Sequence, residues 1–232
     1  MSVRDGQDYL YLVCKCGLTR QQYVVGVLSR NGGYEFKYGE EVKKAIEAGF
    51  EPLIAFSDLR QTYRKKELFP AFSSRLPDRK RRDINRILQK YKLEEYDPYE
   101  LLKKSGGKLP IDNLCFIDPI LDREKAGEYE FYIAGARHYL RCEGNKCTHA
   151  IEINEGDEIY LIHESDNQYD KSAIRIENHK KQILGYVPRY YTKAYLEFIN
   201  EKRIDGGYVV SVCKENICDE CIKVHIKVLV HA

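Results

Sequence analysis

Eight cysteines stand at positions 14, 16, 115, 142, 147, 213, 218 and 221. Cys142 and Cys147 form one closely spaced pair, and Cys218 and Cys221 form another on a second loop. Two thiolate pairs brought together would make a tetrahedral zinc site. Such a site would be structural, because four thiolates leave no open position for water. His149 and His225 are spare ligands. The competing reading is reduced, unpaired cytosolic thiols, and this is the preferred one. No cofactor is therefore expected, with a structural zinc as the alternative. Cys14 and Cys16 alternate on an apolar strand and do not read as ligands. His163 is a lone titratable group near Glu164 and Asp166, with no nucleophile in sequence reach. There is no His-x-Asp-x-x-x-x-Asn loop, no Asp-Phe-Gly and no Walker A motif. No paired carboxylates lie at metal-site spacing with a histidine. The chain reads as a binding protein and not as an enzyme.

Charge is the second chemical signal. The net charge is only +2, but it is unevenly spread. Residues 1–118 hold 22 Lys/Arg against 17 Asp/Glu, and residues 119–232 hold 16 against 19. Within residues 60–92 there are 12 basic and 3 acidic side chains. The run Arg79, Lys80, Arg81, Arg82 is a candidate for phosphate contacts, and a solvated helix face is the alternative. Trp is absent while Tyr numbers 19. A tyrosine ring can stack on a base and its hydroxyl can hydrogen-bond, although most of the 19 are expected to cover sheet surface.

The elements that must position these residues follow from periodicity. Residues 8–16 and 21–29 are β-branched and apolar around Gly17-Leu18-Thr19-Arg20, which predicts a hairpin. Residues 34–38 alternate as a strand, and residues 39–48 have helical spacing ending at Gly49. Phe69, Phe72 and Leu76 predict a short helix, as do Ile84, Ile87 and Leu88. Asp97-Pro98 is a helix start, with Asp as N-cap and Pro in the first turn. Residues 113–117 predict a strand. Charged residues from Asp118-Pro119 to Gly127 mark the domain boundary. Beyond it, strands are predicted at 129–133, 159–163, 173–176, 183–187, 207–213 and 222–230, with one helix at 189–200. The expected fold class is α+β: an N-terminal small sheet with helices over 1–118, a linker at 119–128, and a small β-barrel-like module with one or two helices over 129–232.

Three segments of the second half occur in a telling order: Gly135-Ala136-Arg137-His138-Tyr139, then Asn167-Gln168-Tyr169-Asp170-Lys171-Ser172-Ala173-Ile174, then Leu184-Gly185-Tyr186-Val187-Pro188. Together they resemble the HIRAN domain. That resemblance implies binding of single-stranded DNA with selection of the 3′ end. It places Arg137, His138, Tyr139, Tyr169, Asp170, Lys171 and Tyr186 at the nucleic-acid site. A strand-end pocket needs a flat surface for the last base, a cation for a phosphate and an acceptor for the terminal hydroxyl. Tyr169 offers the ring, Asp170 the acceptor, and Arg137 with Lys171 the cations. His138 departs from the aromatic usual in the family, and Tyr139 is the candidate replacement. The residues alone leave another reading open, in which Asn167 and Asp170 simply close a hairpin through Asx-type bonds.

In the first half, Gly26-Val27-Leu28-Ser29, Leu68-Phe69-Pro70-Ala71-Phe72, Arg75-Leu76-Pro77-Asp78, Asp97-Pro98-Tyr99-Glu100-Leu101-Leu102 and Gly106-Gly107 form an ordered series. It is similar to the first N-terminal subdomain of HipA-type toxin kinases, which packs on a kinase core and contacts partner proteins. The implied function is non-catalytic recognition of single-stranded DNA ends, with residues 1–118 as a protein-interaction or accessory DNA-contact domain. The alternative is an antitoxin or regulatory subunit acting in trans on a HipA-like kinase. No apolar run approaches the ~18 residues of a membrane span and no export signal is visible, so a cytoplasmic location is expected.

Overall fold

The computed structural model describes residues 8–19, 21–142, 150–213 and 220–231. The chain divides into two units, Met1–Leu121 and Asp122–Ala232.

In the first unit, β1 (Asp8–Lys15), β2 (Gln22–Arg30), β3 (Tyr34–Tyr38), β4 (Tyr63–Lys65) and β5 (Leu114–Ile117) form one sheet in the order β4-β3-β2-β1-β5. All four pairings are antiparallel, and a bulge between Leu12 and Val13 absorbs a shift in register. Four short helices, α1 (Val42–Glu47), α2 (Pro70–Ser73), α3 (Ile84–Lys90) and α4 (Pro98–Ser105), accompany it. The core is aromatic. Phe36 lies 4.5 Å from Phe56 and 5.1 Å from Phe72, and Phe72 lies 5.0 Å from Phe116, ring centre to ring centre.

Two arginines that look like surface charge in the sequence are structural here. Arg75 is almost fully buried; it grips Asp112 with both terminal nitrogens (2.6 and 2.8 Å) and donates to the carbonyls of Gly107 and Leu114. Arg30 lies over the Tyr99 ring and pairs with Asp8, Asp97 and Glu100 at 2.9, 2.6 and 2.9 Å. Asp97 also caps α4, accepting from the backbone N–H of Tyr99 and Glu100. The helix stops at Gly106, whose left-handed φ of 71° suits a residue without Cβ.

The second unit holds β6 (Gly127–Tyr132), α5 (Ala136–Tyr139), β7 (Ile159–His163), β8 (Ile174–Asn178), β9 (Ile183–Tyr186), α6 (Arg189–Asn200), β10 (Ile204–Val212) and β11 (Ile222–Val228). The barrel-like module expected here is an open one. The strands form two open three-stranded sheets, β10-β11-β6 and β7-β8-β9. Outside them, the described residues form the single-residue bridges Ala134–Tyr186 and Glu158–Tyr208. The apolar stripe of α6 buries Ala194, Tyr195 and Phe198, and Tyr195 meets Phe131 edge-on at 5.5 Å. Arg203 is buried over the Phe198 ring and donates to the carbonyls of Arg123, Glu124, Lys125 and Leu229. One guanidinium therefore ties the start of this unit to its end. Its five donors are what make that possible.

Candidate nucleic-acid interface

Two glycines let the three motif segments converge. Gly135 has φ 72° and opens α5. Gly185 has φ 144°, and a Cβ there would stand 2.4 Å from Ile133 Cγ2 and 2.6 Å from the Ala134 carbonyl oxygen. Only glycine allows β9 to come this close to the 133–136 segment. That approach lets Ala134 and Tyr186 exchange both backbone hydrogen bonds, at 2.8 and 2.9 Å. The rings of Tyr139 and Tyr186 then lie 6.0 Å apart, and the Tyr139 hydroxyl donates to the Tyr186 hydroxyl at 3.2 Å.

The middle segment joins through Glu164. This carboxylate accepts from the Tyr186 hydroxyl at 3.2 Å, from Asn167 Nδ2 at 2.8 Å and from Arg175 Nη1 at 2.9 Å. Asn167 Oδ1 in turn accepts from the backbone N–H of Tyr169 and Asp170. Asp170 Oδ1 accepts from Ser172 N–H. The Asx-turn reading of Asn167 and Asp170 is thus what the loop geometry displays. It also fixes the backbone that carries Tyr169, whose side chain is 92% exposed. His163 Nε2 donates to the Lys171 carbonyl at 2.9 Å and braces the same loop from β7.

The electrostatics follow from these contacts. Partial burial opposes ionisation of Glu164, but the hydrogen bonds from Arg175, Asn167 and Tyr186 outweigh it and hold the carboxyl below its ordinary range. Burial, then the neighbouring Tyr139 hydroxyl and Glu164 charge, push the Tyr186 phenol well up, so it keeps its proton. Among the described residues the side chains of Arg137, His138, Tyr169 and Lys171 form no hydrogen bond or ion pair. Arg137 and Tyr139 are half-buried, and His138 and Lys171 are exposed. Beside them, Tyr139, Arg141, Ala150, Ile151, Gln182 and Ile183 line a surface pocket of about 440 Å³.

The structure joins the Tyr139 and Tyr186 hydroxyls, through Glu164 and Asn167, to the backbone N–H groups of Tyr169 and Asp170, holds Lys171 by its carbonyl, and leaves the side chains of Arg137 and His138 on the helical turn of Tyr139 outside that network. Glu164 and Arg175, which organise it, were not singled out from sequence. Their signal was local: Arg175 alternates outward next to buried Ile174, and Glu164 sits three residues before an asparagine that must cap a loop. The basic run is in the other unit. There Arg81 is held by Asp83 through two bonds of 2.8 and 2.9 Å, and Arg64 pairs with Glu35. Arg79 lines a surface pocket of about 420 Å³ with Ser73, Ser74 and Tyr96. Of the proposed zinc ligands, Cys147 and Cys218 lie outside the described residues. Among the described residues no group of three or more His, Cys, Asp or Glu is arranged to hold a metal. No helix among them is long and apolar enough to cross a membrane.

These features define a two-unit α+β protein whose second unit gathers three separated motif segments on one surface. Residues 126–231 match the HIRAN domain, and residues 19–110 match the HipA N-terminal domain. The chain thus carries in order a stretch that matches the HipA N-terminal domain and a stretch that matches the HIRAN domain, a module known to bind single-stranded DNA. Among solved structures, the HIRAN domain of human HLTF is 19% identical, with a TM-score of 0.34 over 44% of this chain and 74% of that one. A protein from Lactobacillus plantarum is 18% identical, with a TM-score of 0.31 over 44% of this chain and 99% of that one. No curated protein matches the chain.

Proposed function

We propose that this chain is a non-catalytic binding protein whose HIRAN unit recognises the 3′ end of single-stranded DNA. Tyr169 stacks on the terminal base, Asp170 accepts a hydrogen bond from the 3′ hydroxyl, and Arg137 with Lys171 meets phosphate. His138, Tyr139 and Tyr186 line the site. The observation that carries this reading is the Tyr139–Tyr186–Glu164–Asn167 chain of hydrogen bonds, which unites the three motif segments, while the Tyr169 ring stays exposed and, among the described residues, the side chains of Arg137 and Lys171 have no partner. A carboxylate at the site repels a continuing phosphate and so favours an end over an internal position. The reading needs no cofactor. Arg79, Lys80 and Arg82 of the other unit add phosphate contacts, with Arg81 available only by giving up Asp83.

Fluorescence anisotropy with a linear single strand tests this. Tyr169→Ala and Asp170→Asn should each weaken binding about tenfold, in line with the ~1–3 kcal/mol per stacked base, with circular dichroism unchanged. Unaltered affinity in both variants would overturn the assignment.

The match of residues 19–110 favours a second reading, in which this unit docks on and regulates a HipA-like kinase in trans. Titrating the chain into such a kinase that lacks its own first subdomain should change its autophosphorylation rate; an unchanged rate removes this reading.

A further inference from the structure

The hydrogen-bond chain through the site has a direction. An ionised carboxylate only accepts, so the Tyr186 hydroxyl must spend its one proton on Glu164, 3.2 Å away. The bond between the two tyrosine hydroxyls, also 3.2 Å, must then use the proton of Tyr139. Among the described residues Tyr139 Oη has no other hydrogen-bond partner. Its lone pairs are therefore all it has left to offer at the pocket it lines with Arg141, Gln182 and Ile183. Glu164 is further held in place by Arg175 and Asn167, so the polarity of the chain is fixed from its buried end.

From this we infer that Glu164 and Tyr186 are positioning residues that make the Tyr139 hydroxyl an obligate acceptor, so that the pocket selects a hydrogen-bond donor of the bound strand and rejects a phosphate oxygen. The inference rests on the reading of this unit as a strand-binding site. A DNA strand offers such donors at the terminal sugar hydroxyl, whose one proton would then go to Tyr139 in place of Asp170, and on base edges, as the exocyclic amine of cytosine or the ring N3–H of thymine.

The test uses the full chain and two ratios of dissociation constants. The base edge is the same in the 3′-hydroxyl and 3′-phosphate forms of oligothymidylate, so comparing them reads the sugar hydroxyl. Comparing oligodeoxycytidylate with oligothymidylate, both 3′-phosphorylated, reads the base edge, an amine donor in one and a ring N–H donor in the other. The wild-type chain should prefer one strand of one of the two comparisons by about tenfold, the size of one polar bond exchanged for a repulsive contact. In Glu164→Gln the side-chain amide can donate to Tyr186, which reverses the chain and turns the Tyr139 proton outward. That preference should then fall to within about twofold. Tyr186→Phe keeps the Glu164–Arg175 pair, releases the Tyr139 hydroxyl and should lower the preference as well, so the test survives if the glutamine variant fails to fold. A purely structural role would lower the affinity for both strands alike and leave the ratios where they were. A wild-type chain with both ratios near one, or variants that bind with an unchanged preference, overturns the inference. If linear strands still outcompete circular ones in that case, end recognition stands and only the acceptor role of Tyr139 is lost.

Discussion

Gly185→Ala is the substitution whose consequence the geometry fixes most tightly. The added methyl would sit 2.4 Å from Ile133 Cγ2, 2.6 Å from the Ala134 carbonyl oxygen and 3.3 Å from the Ala136 nitrogen. The isoleucine methyl can turn away. The Ala134 carbonyl cannot retreat without breaking the bond it accepts from Tyr186 N–H at 2.9 Å. Overpacking of this kind costs ~1–3 kcal/mol. A φ of 144° adds strain for any residue with a Cβ, of the order of ~1 kcal/mol. The expected loss is about 3 kcal/mol in the HIRAN unit, roughly a hundredfold in its opening equilibrium. With two units present, a single melting curve is ambiguous. Amide hydrogen exchange resolved by mass spectrometry separates them. Peptides spanning β8 and β9 should lose about two decades of protection, while peptides from β1 and β2 keep theirs. A loss under ~0.5 kcal/mol, the size of an ordinary surface change, would refute the claim that close approach at this glycine assembles the site.

Further predictions follow from the same contacts. Arg75→Ala leaves Asp112 without its buried partner and should destabilise the first unit by about 3 kcal/mol, read as loss of exchange protection in β5 and α4. Asp97, Asp112 and Glu164 are all held below their ordinary values, against the opposing effect of burial, by Arg30, Arg75 and Arg175. Depressed carboxyl values mean that this stability is complete above about pH 4 to 5 and drains away as the pH falls through the lowered values. Acid unfolding followed by circular dichroism should show stability falling below about pH 4 to 5, and Arg30→Gln should narrow the gap in stability between pH 7 and pH 3. The HIRAN half carries more acidic than basic residues, so in a variant with Arg79, Lys80 and Arg82 changed to Ala, strand binding through Arg137 and Lys171 should have a shallow salt dependence, a log–log slope of roughly −1 to −2. A slope of about −4 or steeper would mean that an extended basic surface, and not a small pocket, does the binding.

Most elements were legible because their apolar residues repeat at the right period. The helix over Arg189–Asn200 carries Tyr191, Ala194, Tyr195 and Phe198 on one stripe, and the strand Tyr34–Tyr38 alternates cleanly. What escaped was short or made by contact. The strand Tyr63–Lys65 has three half-buried or exposed residues and the helical turn Ala136–Tyr139 only four, too few for a period to show. The strand Ile204–Val212 starts earlier than expected because a bulge lets the chain pass Gly206 and Gly207 and stay paired. A barrel-like module was legible from strand number, but whether it closes was not. The register leaves two separate sheets, and number alone does not decide closure. At the site, the motif residues were visible as motifs, but Glu164 was not, because its role depends on Tyr186 approaching across 22 positions of sequence. The buried arginines escaped for a related reason. Nothing in a basic residue's neighbours announces that it will satisfy distant carbonyls, as Arg203 does for Arg123, Glu124, Lys125 and Leu229.

The central claim, recognition of a strand end by the HIRAN unit, is tested most directly by competition. A labelled linear oligothymidylate bound to the full chain is displaced either by the same linear strand or by a circular strand of equal length, which has every phosphate and base but no end. The account predicts that the linear strand competes at least about tenfold better, one polar end contact being of the order of ~1.4 kcal/mol. Equal competition by the circle would contradict it.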